Sequence, residues 1–250
     1  MTKLHELEII RPDWAAPVGA AVTTRNGGLS QDGYAGLNLA DHVGDVAVTV
    51  QQNRSLLQQA LSLKCMPVWL LQVHGSDVVC ADEVDGAVAA DAAWTAQPHT
   101  VCTVLTADCL PVLFCDRAGT RVAAAHAGWR GLCAGVLENT LDSFSQAGIA
   151  ATDIMVWLGP AIGPDVYEVD RPVRDAFLRR DREFATAFAA SRAGHWRFDI
   201  YAAARHVLAR RGVTDVSGGG FCTYTEPRFF SYRREPVCGR QATLIWISNW

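Results

Sequence analysis

A chain of 250 residues can bury a sizeable core as one large domain or two small ones. Half of its residues are apolar and 19% are charged, which excludes a disordered polypeptide. A net charge of −4 and a pI near 6.0 give no electrostatic case for nucleic acid or an anionic membrane as partner, although a local basic pocket for a small anion stays open.

The segment from Met1 to Ile10 carries acidic side chains where a signal peptide needs an apolar run. No stretch approaches the roughly 18 uninterrupted apolar residues of a membrane span. The eight cysteines include no Cys-x-x-Cys pair, so neither a zinc ribbon nor a thioredoxin motif is present. The expectation is a cytoplasmic protein with reduced thiols.

In chain order, residues 20–24 read as a short strand, followed by the turn Arg25-Asn26-Gly27-Gly28 and a second glycine-rich loop around Gly33 and Gly36. Asp45 is a candidate N-cap for a helix over 46–63, with Val46, Val50, Leu57 and Leu61 on one face. Residues 69–73 form an apolar run that reads as a buried strand, turning at Gly75 and leaving His74 at its end. Residues 85–93 are read as another strand.

Two apolar runs, 110–115 and 121–125, flank the polar turn Asp116-Arg117-Ala118-Gly119, a hairpin signal with a four-residue loop. If Cys115 opposes Thr120, Cys109 falls opposite His126, and directly opposed Cβ atoms lie roughly 4.5–5.5 Å apart. Residues 131–147 read as one helix stopped by Gly148, and 154–158 as a buried strand. The run Gly159-Pro160-Ala161-Ile162-Gly163-Pro164 reads as a rigid turn, because its prolines lack N–H donors for a phosphate. Helices follow at 172–180 and at 199–211, the second capped by Asp199 and ended by Gly212. Residues 221–234 are irregular, and 242–247 form a last strand. Strands and helices mix without strict alternation and without repeat or linker, so the expected fold is a single α/β (α+β) domain over residues 1–250 with mixed β-sheets layered with helices.

His74, Cys109 and His126 each follow an apolar run, where strand ends deliver functional groups. One cysteine and two histidines make a three-ligand set for zinc with a fourth position open to water or substrate. The same Cys109–His126 pair also suits a thiol nucleophile and its base, and the pattern alone does not bring His74 to the other two. Gly128-Trp129-Arg130-Gly131 opens a helix whose N-terminus would suit an anion. Arg25, Arg130, Arg233 and Arg234 are candidate anion contacts. Asp108 reads equally as a turn residue or as a partner of the Cys109 region. His5, His42, His99, His195 and His206 carry no motif, and the other seven cysteines read as packing residues. No Gly-x-Gly-x-x-Gly or Walker loop is present, which argues against a dinucleotide or nucleoside triphosphate machine.

The runs Thr23-Thr24-Arg25-Asn26-Gly27-Gly28, Gln72-Val73-His74-Gly75, Thr106-Ala107-Asp108-Cys109-Leu110-Pro111-Val112 and Ala125-His126-Ala127-Gly128-Trp129-Arg130-Gly131 together resemble the YfiH-like, laccase-domain family. Gly159-Pro160-Ala161-Ile162-Gly163, Tyr167-Glu168-Val169, Cys222-Thr223, Phe230-Ser231-Tyr232-Arg233-Arg234 and Gly239-Arg240 complete the pattern over about residues 18–248. The resemblance implies an α/β domain with layered mixed sheets. It also implies a divalent metal, zinc in the first place, on His74, Cys109 and His126. Family members, long labelled polyphenol oxidases, are described as purine nucleoside phosphorylases acting on adenosine, inosine, guanosine and methylthioadenosine, with adenosine deamination beside it. Some bacterial members are linked to editing of peptidoglycan precursors.

Copper remains an alternative ion, but a multicopper cluster consumes many imidazoles, and seven histidines with no His-x-His pair are too few. With multicopper chemistry set aside, the function the resemblance implies is zinc-dependent purine nucleoside phosphorolysis, with purine nucleosides and phosphate as partners and Arg25, Arg130 and Arg233 as the candidate phosphate contacts. The alternatives are a Cys/His amidase acting on peptidoglycan precursors and a non-catalytic zinc-binding protein.

Overall fold

The computed structural model describes residues 7–12 and 15–248. His5 and the start of the segment read for a signal peptide lie outside them. The chain opens with strands β1 (Ile9–Ile10) and β2 (Val18–Thr23), helix α1 (Ala47–Ala60), and strands β3 (Val78–Cys80) and β4 (Ala92–Thr95). Its centre holds β5 (Val101–Thr106), β6 (Leu110–Asp116), β7 (Val122–Ala127), α2 (Trp129–Ala134), α3 (Val136–Ser145) and β8 (Ile154–Leu158). The last part holds β9 (Glu168–Asp170), α4 (Arg171–Arg180), β10 (Phe188–Ala190), β11 (His195–Phe198), α5 (Ile200–Arg210), β12 (Asp215–Gly218) and β13 (Gln241–Ile247). Among the described residues no helix is long and apolar enough to cross a membrane.

The architecture is the expected mixed α/β one. A six-stranded sheet runs β12-β8-β6-β7-β4-β3, antiparallel in its centre and parallel at both edges. An antiparallel sheet, β1-β2-β13-β5, covers one of its faces, and β10-β11-β9 form a small antiparallel sheet. Strand β6 explains why the central hairpin reads as continuous apolar sequence. Side chains alternate across a strand, and here both faces are covered. Val112 and Phe114 pack towards Val136, Leu141 and Phe144 of α3. Leu113 and Cys115 pack towards Val22, Val104 and Ile245 of the four-stranded sheet. Helix α1 closes the outer face of that sheet through Leu57.

Several local expectations are corrected. The hairpin register is Leu110↔Ala127 through Cys115↔Val122, so paired numbers sum to 237 and not 235. Asp116 belongs to the strand, because its carboxylate accepts from Thr120 N, Thr120 Oγ1 and Arg121 N at 2.7–2.8 Å and wraps the turn from its base. The expected single helix over 131–147 is two, broken at Gly135, whose φ of +102° no helix accommodates. Arg180 satisfies carbonyls freed at the break, donating to Leu132 O at 2.7 Å and Cys133 O at 2.9 Å.

The segment 69–73 is no strand. Its one bridge is the isolated Leu71↔Ala89, with Val68↔Cys102 just before it, and Leu71 is 48% and Val73 58% exposed. Within it, the Gln72 side-chain amide pairs with the edge of β5 as a peptide group would, accepting from Leu105 N at 2.7 Å and donating to Leu105 O at 2.8 Å. The strand read at 85–93 starts only at Ala92, after a tight helical turn over Ala81–Glu83. At α1 the cap residue is Val46, and Asp45 instead ties Ser30 and Asn38 to the helix start. Asp199 caps α5 as expected, accepting from Ala202 N at 2.9 Å.

Candidate active site

His74, Cys109 and His126 reach one point from three separate parts of the chain. His126 is buried near the end of β7, Cys109 sits in the bend between β5 and β6, and exposed His74 lies before β3. One donor atom from each, two imidazole nitrogens and a sulfur, all lie within 4.8 Å of one another. The two rings meet edge to face, 4.8 Å between centroids. The corrected register places Cys109 opposite Gly128, where an added Cβ would lie 2.9 Å from Cys109 Sγ and 3.1 Å from His74 Cδ2. Glycine here is space for the two donors.

The bends that deliver these donors are held against their own preferences. His74 has φ of +60° and Asp108 of +99°, left-handed values that a non-glycine residue keeps only when its surroundings enforce them. For Asp108 the enforcement comes from the irregular segment that follows β12. Its Oδ1 accepts from Thr223 Oγ1 and its Oδ2 from Arg233 N, both at 2.6 Å, while its carbonyl accepts from Ile162 N at 2.9 Å. Asp108 is thus the turn residue before Cys109 and the anchor that draws 223–233 to the site.

His126 Nδ1 lies 2.7 Å from Oδ1 of Asp91, which is fully buried. That leaves Nε2 to face the sulfur. Burial opposes charge on the Cys109 thiol, but His126 and then His74 outweigh it, and its pKa falls to about 6. Burial likewise disfavours imidazolium at His126, yet the Cys109 thiolate and the Asp91 carboxylate push its pKa upward. Two imidazoles and a sulfur held as thiolate are donors that zinc accepts in tetrahedral sites. The residues present therefore fit a metal ion.

The donors line an open cavity of about 380 Å³ whose other walls include His42, Tyr167, Tyr232, Arg233 and Arg240. The Arg233 guanidinium lies 5.3 Å from the Tyr167 ring centre and that of Arg240 5.7 Å from Tyr232. Burial pushes the Tyr167 hydroxyl upward in pKa, so it stays a protonated donor.

Of the arginines expected to hold phosphate, Arg233 stands on this wall. Arg25 is turned into structure instead, with Nη1 3.2 Å from Glu235, Nη2 3.4 Å from the Ala35 carbonyl and its guanidinium over Phe230. Arg130 is exposed and stacks on Trp129 at 4.6 Å. Arg234 is spent on the carbonyls of Thr223, Tyr224 and Phe229. The helix starting at Trp129 has six residues, too few for the expected anion-binding N-terminus. Its Gly131 has a packing reason, since a Cβ there would lie 2.6 Å from the Gly75 carbonyl.

Sequence reasoning missed Asp91, His42 and Arg240. The one signal for Asp91 is a lone carboxylate inside the apolar run Ala87-Val88-Ala89-Ala90-Asp91-Ala92-Ala93-Trp94. His42 and Arg240 come from loops and carry no periodicity.

Residues 19–248 match the family model described as multi-copper polyphenol oxidoreductase laccase. The chain belongs to this family. A relative from Pseudomonas aeruginosa, named purine nucleoside phosphorylase, is 52% identical over 244 residues, covering 96% of this chain and 98% of that protein. The Escherichia coli protein named purine nucleoside phosphorylase YfiH is 50% identical over 244 residues, covering 96% and 99%. In the crystal structure of a Neisseria meningitidis protein, 47% identical, the fold superposes with a TM-score of 0.92 over 96% of this chain and 99% of that one. A Bacillus licheniformis protein called YfiH gives 0.91 at 28% identity, over 99% and 98%. The family read from the sequence motifs and the fold it implied are both confirmed.

Proposed function

We propose that this chain is a zinc-dependent purine nucleoside phosphorylase acting on adenosine, inosine, guanosine and methylthioadenosine, with adenosine deamination as a side activity. The observation that carries the reading is the convergence of His74, Cys109 and His126 on the wall of a cavity that also presents two arginines and two tyrosines. The names of the relatives support the reaction class. The donor set supports zinc over a multicopper centre, because a type 1 site and a trinuclear cluster require many imidazoles and two converge here with one sulfur. A second group of metal-type donors, Asp181, Glu183 and His206, is better read as an ion-pair bracket. Its carboxylates face different ring nitrogens, at 2.9 and 4.0 Å.

In phosphorolysis a phosphate oxygen attacks ribose C1′ while the C1′–N9 bond breaks, so the bond's electron pair leaves with the purine, which then takes up a proton. Ribose 1-phosphate and free base result. Of the expected arginines, Arg233 is the phosphate contact this reading keeps, its Nη1 also reaching the Glu168 carbonyl at 3.3 Å. Arg240, whose Nη1 donates to the Cys238 and Gly239 carbonyls at 2.8 and 2.9 Å, adds positive charge beside it. Tyr167 offers a protonated hydroxyl, and Tyr232 an aromatic face of the kind on which a purine stacks. A metal held by His74, Cys109 and His126 would supply positive charge to stabilise the charge that develops as the glycosidic bond breaks. The chain's own contribution is to hold the donors, keep Cys109 as thiolate and confine phosphate and sugar within reach of each other.

The test is hypoxanthine release from inosine with and without phosphate. Release that tracks phosphate, with ribose 1-phosphate as co-product, is expected; none under either condition overturns the reading. Arg233→Ala is expected to raise the KM for phosphate about tenfold, the loss of one charge-assisted contact, with a smaller change for inosine; steady-state kinetics in both substrates checks this.

One observation favours a second reading. Asp91, His126 and Cys109 stand in the order of a carboxylate–imidazole–thiol relay, as an amidase acting on peptidoglycan precursors would use. That reading requires Cys109 to form an acyl-enzyme in the metal-free protein. Protection of Cys109 from iodoacetamide by one equivalent of zinc, with no acyl adduct on the metal-free form, decides for the metal site.

A further inference from the structure

We infer that Asp91 is the positioning residue that assembles the metal site, holding His126 through its ring and His74 through its backbone. The inference rests on the zinc reading above and extends it from which residues bind to what fixes them. Asp91 Oδ1 accepts from His126 Nδ1 at 2.7 Å and from His74 N at 3.0 Å. Oδ2 accepts from Gly75 N at 2.6 Å and Val73 N at 3.2 Å. The Asp91 carbonyl also accepts from His126 N at 2.7 Å.

Three consecutive N–H groups on one buried carboxylate form a clamp. It holds Val73, His74 and Gly75 where they have no regular strand partners, with His74 at φ of +60°. At His126 the same carboxylate accepts the Nδ1–H hydrogen bond. With Nδ1 held as the protonated nitrogen, Nε2 is the ring atom left to give its lone pair to a metal ion shared with the Cys109 sulfur. A carboxylate behind a ligating imidazole fixes ring orientation and raises basicity, and its loss typically weakens metal affinity about 10–100-fold. Here one carboxylate serves two donors that lie 52 positions apart in the chain.

Asparagine is the discriminating replacement, having the same shape but one acceptor oxygen. If that oxygen faces His126 and His74, the amide NH2 confronts the N–H groups of Val73 and Gly75. If it faces Val73 and Gly75, the NH2 points at His126 Nδ1 and drives the ring into the tautomer with a protonated Nε2. Either arrangement disturbs one donor.

The experiment uses the full chain. Zinc affinity is measured by competition with a chromophoric chelator for wild type and Asp91→Asn, with cooperative thermal unfolding of each metal-free form as the check on folding. Wild-type protein loaded with cadmium-113 is examined in parallel by NMR for coupling to the His126 ring nitrogens. Expected are affinity about 10–100-fold weaker in Asp91→Asn and cadmium coupling to His126 Nε2, with Nδ1 protonated. Zinc binding by Asp91→Asn within twofold of wild type, or coupling through Nδ1, overturns the inference. If Asp91→Asn does not fold, the wild-type coupling decides alone. A wild type that binds neither ion overturns the zinc reading and this inference with it, whereas wild-type binding with an unaffected variant overturns this inference only.

Discussion

Cys109→Ala is expected to lower phosphate-dependent release of hypoxanthine from inosine by on the order of 10³-fold or more, with bound zinc falling towards zero and the fold retained. Removing a single preorganised stabilising group typically costs about 10²–10³ in rate, and here the change removes the soft donor of a three-ligand set. Two imidazoles without the thiolate leave an incomplete shell. The fold is expected to survive because Cys109 precedes β6 and lies outside its paired residues, Leu110 to Asp116. His126→Ala is expected to abolish activity too, but with a loss of stability that Cys109→Ala lacks. It leaves the buried Asp91 carboxylate facing no imidazole. Because the N–H groups of Val73, His74 and Gly75 still bind that carboxylate, the cost is expected near that of one charge-assisted hydrogen bond, about 1.5–3 kcal/mol. Metal content, turnover and denaturant midpoint on the same preparations separate the two variants.

Gly128→Ala is expected to fold normally and yet lose activity by about 10²-fold, the scale associated with misplacing reacting groups by an ångström. Gly128 has φ of −65° and ψ of 161°, extended backbone that alanine adopts freely. The nearest atoms to an added methyl are Cys109 Sγ at 2.9 Å and His74 Cδ2 at 3.1 Å. The strain therefore falls on two donors and on no core side chain. Weaker zinc binding with an unchanged unfolding temperature of the metal-free protein is the expected signature. An unfolding temperature that falls together with turnover would place the glycine's role in packing.

The parts of the fold legible in the sequence are those whose pattern is local. The hairpin strands stand out because β6 and β7 are buried on both faces, and Asp199 announces α5 by its own capping bond. What escapes is set by partners distant in sequence. The register slips because Asp116 spends its carboxylate on the turn, which only the folded loop reveals. The break at Gly135 depends on Arg180, far along the chain, reaching its carbonyls. The apolar run at 69–73 misleads because it skirts the cavity rim, leaving Leu71 and Val73 exposed.

At the site, the motifs name the three donors, whose convergence the backbone then supplies. Arg25 misleads in the opposite way. Its glycine-flanked turn resembles an anion loop, while its guanidinium is committed to Glu235 and Phe230. Asp91 has no motif at all. Its meaning arises from four donors brought to it by folding.

The central claim is that one metal ion on His74, Cys109 and His126 sustains phosphorolysis. Its most direct test is a titration of chelator-stripped protein with zinc, following bound metal by mass spectrometry and phosphate-dependent hypoxanthine release in the same samples. Activity is expected to be lost on stripping and to return in proportion to zinc, saturating at one equivalent per chain. Full activity in the stripped protein, or one bound zinc with no turnover of inosine in phosphate, would contradict it.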